Sequence, residues 1–272
     1  MSALEVIGAG ALTTVQDLGR PGWAHLGVPR AGALDAPAAA LANRLVGNPP
    51  ESALLETVLG GLTVRNAGPG RWAALTGGGA GPAFWWAAGA ELRVPEPTYG
   101  VRTYLAVAGG IAVAPVLGSR STDTLAWVGP PRVVDGTTLP LGEPAAEPRA
   151  LDVPAVRRPG GLRVLPGPRA DWFASLDPLV TGVWTVRPDS DRIGLRLDGP
   201  PLERVREGEL PSEGMVLGAV QVPPNGQPIV FLADHPTTGG YPVIAVVRPD
   251  DLWQCAQARP GERVRFLRAS RG

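Results

Sequence analysis

The chain has 272 residues with 25 basic and 25 acidic side chains, so its formal net charge is zero, and 44 % of its residues are hydrophobic. That balance excludes the basic footprint of a nucleic-acid-binding protein, and no apolar run approaches the roughly 18–20 residues of a membrane span. A single cysteine, Cys255, excludes an internal disulfide framework, and the lack of any lysine excludes P-loop, Schiff-base and biotin-carrying lysine chemistry on this chain.

Gly and Pro, 37 and 31 residues, are interspersed with Val, Leu and Ile runs, the pattern of a turn-rich β protein. Strands are predicted at 4–7, 13–16, 53–58, 61–65, 73–76, 91–94 and 102–108, each apolar or alternating and bounded by Gly or Pro. One helix is predicted after Asp35, a good N-cap, with Pro37 in its first turn. Ala38, Leu41 and Leu45 are expected to share its buried face, with Gly47 and a turn-forming Asn48 ending it. The Pro-, Glu-, Ala- and Arg-rich stretch 140–161 reads as a linker between an N-terminal β subdomain, 1–155, and a C-terminal one, 156–272. Beyond it, strands are predicted at 163–165, 182–186, 192–197, 219–222, 228–233, 243–247 and 263–267. Short helices are expected at 170–176 and from Asp250 or Asp251 to before Pro260. The fold class is mainly β, with many short strands at close spacing that suit barrels or sandwiches and a few short helices.

Several polar residues stand at places where chemistry is possible. Gln16, Asp17, Arg20, His25 and Arg30 lie between glycines and prolines in a loop specified enough to position groups on a ligand, although Asp17 and Arg20 can equally pair or cap turns. Glu56 interrupts an apolar strand and requires a partner, an Arg or a ligand. Ser119, Arg120, Ser121, Thr122 and Asp123 follow Gly118, a combination of hydroxyls, amides and a guanidinium suited to a carboxylate or phosphate. Arg192 and Arg196, four apart, face the same side of a strand. The segment Pro228–Ala233 is a buried strand that runs into Asp234, His235, Thr237, Thr238, Gly239, Gly240 and Tyr241, where hydroxyls and amides can hold an oxyanion; Gln221 and Gln227 can line the same end. Cys255, with no His nearby, reads as a small buried residue. Two His and one Cys cannot build a zinc site without carboxylates.

Two blocks carry a wider resemblance: TTVQDLGRPGWAHLGVPRAGALDAPAAALANRLVGNP from Thr13, and GAVQVPPNGQPIVFLADHPTTGGYPVIAVV from Gly218. Together with GGIAVAPVLGSRSTDTL from Gly109, they closely resemble the family that includes the C component of bacterial ATP-dependent 5-oxoprolinase. The KipA-like proteins and half of the carboxyltransferase region of urea carboxylase belong to the same family, and the resemblance covers nearly the whole chain. It implies two β-barrel subdomains related to the cyclophilin-like fold. It also implies a cytoplasmic hydrolase component, inactive alone, that acts with 5-oxoprolinase subunits A and B (the KipI-like B component the nearer partner) to convert 5-oxo-L-proline to L-glutamate. No cofactor is expected on this chain, ATP being used by the complex. The alternatives are a KipA-like regulatory partner of a kinase inhibitor and the carboxyltransferase half of a urea carboxylase-type enzyme, with biotin on another chain. Asp234, Arg20 and Asp17 are the expected catalytic residues. Arg120, Ser119, Arg192, Arg196, Gln221, Thr237, Thr238, Gly239 and Tyr241 are expected to bind substrate. Many relatives have Arg where this chain has His235, so no catalytic role is given to His235.

Overall fold

Turn residues every few positions keep the strands short, and apolar alternation decides which side of each is buried. The computed structural model describes residues 2–79, 81–148 and 158–269, which divide into two compact units. The first comprises residues 2–20, 31–123 and 127–148; the second comprises 21–30, 124–126 and 158–269.

The first unit contains β1 (Ala3–Gly8), β2 (Leu12–Gln16), β3 (Leu54–Val58), β4 (Thr63–Asn66), β5 (Arg71–Gly77), β6 (Phe84–Trp86), β7 (Glu91–Arg93), β8 (Arg102–Val107) and β9 (Thr138–Pro140). They form two antiparallel sheets, β7-β4-β1-β9 and β2-β3-β8-β5-β6. Leu4, Val6 and Val64 of one sheet and Val15, Leu55, Leu105 and Val107 of the other fill a common core. The opposite face of the second sheet is also covered, by helix α1 (Ala36–Leu45) on Leu54, Ala74, Tyr104 and Ala106. Both faces being buried explains why β8 is buried at every residue, Arg102 and Thr103 included, and shows no apolar–polar alternation.

Helix α1 begins as predicted. Asp35 Oδ1 accepts the Ala38 amide at 3.0 Å, and a proline stands in the first turn. The fully buried side is Ala39, Ala42, Asn43 and Leu45, while Ala38 and Leu41 lie at its margin. Gly47 ends the helix at φ 77, where a Cβ would stand 2.7 Å from the Ala146 carbonyl. Asn48 is not left-handed; it is a side-chain bracket. Its Nδ2 donates to Val107 O at 2.9 Å, and its Oδ1 accepts the Gly109 amide at 2.8 Å. Glu56 takes the Arg partner, with Arg102 Nε 3.5 Å away. Its Oε2 also accepts the Tyr104 hydroxyl at 2.8 Å and the Leu34 amide at 3.0 Å. Burial, then the Glu56 and Asp35 charges, push the Tyr104 phenol well above its ordinary pKa, so it remains a donor.

The second unit contains β10 (Leu162–Pro166), β11 (Trp184–Val186), β12 (Gly194–Asp198), β13 (Glu213–Gly214), β14 (Ala219–Gln221), β15 (Ile229–Phe231), β16 (Thr238–Gly239), β17 (Val243–Val247), β18 (Arg263–Val264) and β19 (Phe266–Arg268). Eight of these form one sheet, β18-β11-β12-β15-β14-β17-β10-β19. The predicted single strand 263–267 splits at Arg265, and its halves become the two edges of this sheet. One stretch of chain thereby nearly closes the sheet into a barrel, which removes open edges. Inside it Trp184 meets Phe266 edge-on, ring centres 6.4 Å apart, and donates Nε1–H to Leu179 O at 2.9 Å.

Two expectations change. The helix predicted at 170–176 is a single 3-10 turn, Ala170–Trp172, because Phe173 turns extended and bridges to Arg204; the helix α2 forms at Asp177–Thr181 instead. The helix α3 spans Leu252–Gln257 after a 3-10 turn at Pro249–Asp251. The predicted linker also begins too early. Thr138–Pro140 is a strand, and Gly142 O accepts Arg71 Nη1 at 3.2 Å; residues 149–157 of that stretch lie outside the described residues.

Glu56→Ala would leave the Arg102 charge without its buried carboxylate. We expect a loss of about 3–5 kcal/mol of stability, measured by urea unfolding.

Candidate functional site

Asp17 follows the last residue of β2. Its Oδ1 accepts Ser119 Oγ and Ser121 Oγ, each at 2.6 Å, and the Gly19 amide at 2.8 Å. Its Oδ2 accepts the Arg120 amide at 2.6 Å. Arg20, almost wholly buried, donates Nε to Val116 O at 3.3 Å and Nη2 to Ser121 O, while Arg120 Nε donates to Val113 O at 2.7 Å. The structure therefore brings Asp17, Arg20, Ser119 and Arg120 together, as a knot that binds its own chain. The amides of residues 119–123 are all engaged, by Val116 O, Asp17, Ser119 Oγ, Val15 O and Val128 O, so the expected anion cradle is filled from within.

The second constellation lies at the end of β15. Asp234 is completely buried (0 %), and Arg192 beside it is 1 % exposed. Arg192 Nε donates to Oδ2 at 2.8 Å and Nη2 to Oδ1 at 3.0 Å, a two-point fork. Thr124 adds its amide at 2.9 Å and its hydroxyl at 2.7 Å, both to Oδ2. This carboxylate is a buried support and does not face solvent. Arg196 goes elsewhere: it is 33 % exposed, 3.8 Å from Asp189, beside a shallow pocket of about 200 Å³ with Arg187 and Gln227. The expected pairing of Arg192 with Arg196 fails because β12 starts at Gly194; Arg192 precedes the strand, and the alternation rule does not extend to it.

The open face comes next in the chain. The two-residue strand β16 pairs with β13, and the Met215 amide donates to Thr237 O at 2.9 Å. Gln221 Nε2 donates to Tyr241 O at 3.1 Å. A Cβ on Gly239 would stand 2.7 Å from Gln221 Nε2 and 3.0 Å from the Met215 sulfur, so a side chain there would displace the ends of both. Gln221 thus lies against Gly239 and the Tyr241 backbone, and Thr237 and Thr238 immediately precede that contact in the chain. The Thr237 and Thr238 hydroxyls make no hydrogen bond among the described residues, and Tyr241 is 47 % exposed. Arg204, which sequence reasoning missed, lies 5.9 Å from the centre of the Tyr241 ring and donates Nη2 to Val222 O at 2.6 Å. It lies outside both sequence blocks, in a charged stretch without periodicity, so no local signal marked it.

His235 packs against Phe231, ring centres 6.0 Å apart, with Nδ1 2.7 Å from Pro236 O. Burial, reinforced by the Arg30 charge, lowers its pKa below the ordinary 6.5. Burial pushes the Cys255 thiol up to about 12, which removes it as a nucleophile. Trp86 and Trp172 are core residues, whereas Trp85 is exposed and edge-on to Trp72 at 5.7 Å. The first unit also has a groove of about 310 Å³ between Gly78–Gly79 and Pro95–Thr98, walled by Leu75 and Phe84; it holds none of the residues singled out by sequence. Among the described residues no group of three or more His, Cys, Asp or Glu is arranged to hold a metal ion, and no helix is long and apolar enough to cross a membrane.

Two outcomes follow from these environments. The unfolded chain takes up the His235 proton at a higher pH than the folded chain, so stability falls as pH drops through 6.5. Urea midpoints above and below that pH should differ less in His235→Gln than in the parent. Cys255 should resist a thiol reagent at neutral pH in the native protein and react once the chain is denatured.

The comparisons with known proteins agree with this architecture. Residues 26–268 match the model of the carboxyltransferase domain, subdomain A and B. The chain is 42 % identical over 286 residues to the 5-oxoprolinase C subunit of Escherichia coli K12, covering 98 % of this chain and 91 % of that protein. It superposes on the crystal structure of TTHA0988 with a TM-score of 0.88 at 40 % identity, covering 98 % of this chain and 56 % of that one. The K. lactis urea amidolyase structure gives 0.90 at 29 % identity, but this chain spans only 19 % of it. The chain belongs to the carboxyltransferase-domain family, subdomains A and B, and within it has a full-length relative named as a 5-oxoprolinase C subunit.

Proposed function

We propose that this chain is the C component of an ATP-dependent 5-oxoprolinase, acting with the A and B components to open 5-oxo-L-proline to L-glutamate. The observation that carries the reading is the 42 % identity to the E. coli protein across 98 % of this chain and 91 % of that one. A five-membered lactam is a poor electrophile, so ATP has to activate the amide oxygen before water or a carboxylate can attack. With no lysine to clamp phosphates, this chain leaves ATP to its partners and supplies part of the substrate site. An ATP-consuming enzyme works where ATP is, in the cytoplasm.

In this reading the open face of the second unit contacts substrate. The Thr237 and Thr238 hydroxyls, free of other hydrogen bonds, hold the lactam oxygen as charge develops on it, and Gln221 and Tyr241 flank it. Asp234 with Arg192, and Asp17 with Arg20, Ser119 and Arg120, act as positioning groups, because their polar atoms are engaged inside the chain. The second reading, a biotin-linked carboxyltransferase half, draws on the TM-score of 0.90 to urea amidolyase.

The test is glutamate release from 5-oxoproline and ATP by the co-expressed A, B and C components, with this chain present or omitted. Omission should abolish turnover. The double variant Thr237→Val, Thr238→Val should lower kcat about tenfold per lost hydrogen bond while leaving the unfolding midpoint unchanged. Turnover indifferent to this chain, with carboxyl transfer from a biotin carrier that requires it, would overturn the reading in favour of the second.

A further inference from the structure

Beside Tyr241 stands a cation, Arg204, whose charge no carboxylate pairs with among the described residues. Arg204 makes no ion pair among the described residues, although Glu203, Glu207 and Glu209 are close in sequence and exposed. Its hydrogen bonding within the chain is one bond from Nη2 to Val222 O, and its Nε is buried without a partner. By contrast, Arg192 is neutralised by Asp234, and Arg169 on the β13 side is held by Glu213. The guanidinium lies over the Tyr241 ring, 5.9 Å from its centre, an arrangement that holds the fork in one plane while leaving its edge available. Gln221, bonded to the Tyr241 carbonyl, also lies against Gly239, the residue after the Thr237 and Thr238 hydroxyls that make no hydrogen bond among the described residues. A half-buried cation over an aromatic ring, with unbonded hydroxyls three and four residues before that ring in the chain, favours one kind of ligand, a small molecule with one carboxylate and a compact, weakly polar body.

We propose that Arg204 receives the substrate carboxylate, its ring contact with Tyr241 setting the angle of approach. The inference rests on the oxoprolinase reading above and adds to it the residue that selects an acid. Arg204 was outside every sequence-based expectation, and it takes over the anion-binding part expected of Arg192 and Arg120.

The test uses the assembled complex of A, B and C components with 5-oxoproline and with 2-pyrrolidinone, the same lactam without its carboxylate, as substrate and competitor. Arg204→Gln should raise the KM for 5-oxoproline about ten- to a hundredfold, with kcat changed far less. It should also erase the preference for 5-oxoproline over 2-pyrrolidinone, and Arg204→Lys should restore part of it. A structural role would weaken both ligands equally and lower the unfolding midpoint. If the parent complex opens 5-oxoproline and Arg204→Gln keeps the same preference for the acid, the assignment of Arg204 is wrong and the oxoprolinase reading stands. If the parent complex neither binds nor opens 5-oxoproline, both fall.

Discussion

A fully buried carboxylate at Asp234 sets the frame for the second unit. An ionised carboxyl group out of water is tolerated only when donors surround it. Here the donors come from Arg192, 42 residues away, and from Thr124, 110 residues away. Satisfying one charge therefore fixes three distant pieces of chain at the end of β15. The segment from Pro236 to Tyr241 starts from that fixed point, and its two-residue ladder with β13 completes the positioning. The segment 236–241 is thereby anchored at its start by the four hydrogen bonds to Asp234.

The same device recurs in the first unit. Asp17 gathers two serine hydroxyls and the Gly19 and Arg120 amides, joining the end of β2 to a loop about a hundred residues later in the chain. Glu56 ties β3 to Tyr104 on β8 and to the Leu34 amide ahead of α1. Asp17, Asp234 and Glu56 each spend their carboxylate oxygens on donors from the chain itself. Beside the segment 237–241, the side chains with unused hydrogen-bonding capacity are more modest in type, Thr237, Thr238, Tyr241 and Arg204. A chain whose basic residues are all Arg suits this division. The planar guanidinium satisfies buried carboxylates and carbonyls in two directions at once and stays charged at any physiological pH.

Much of this was legible in the residues themselves. Turn-bounded apolar runs located most strands within two residues, because alternation and Gly/Pro punctuation are local properties. The Asp35 cap and Pro37 located α1 for the same reason, and the blocks from Thr13 and Gly218 were specific enough to indicate the family. That Gln221 meets the segment 237–241 was also expected from the sequence, whereas Gln227, expected at the same end, bonds to Gly199 instead.

Tertiary structure alone decided which polar groups are used up. Local spacing predicted that Arg192 and Arg196 act together, yet the strand begins two residues after Arg192 and their partners differ. Local sequence also could not show that the run 263–267 supplies both edges of a barrel, or that Arg204 lies over Tyr241. The physical reason is common to all three. Alternation and turn residues encode which face of an element is apolar, whereas the partner of a buried charge is chosen by chain segments tens to a hundred residues away, when burial removes water as the competing ligand.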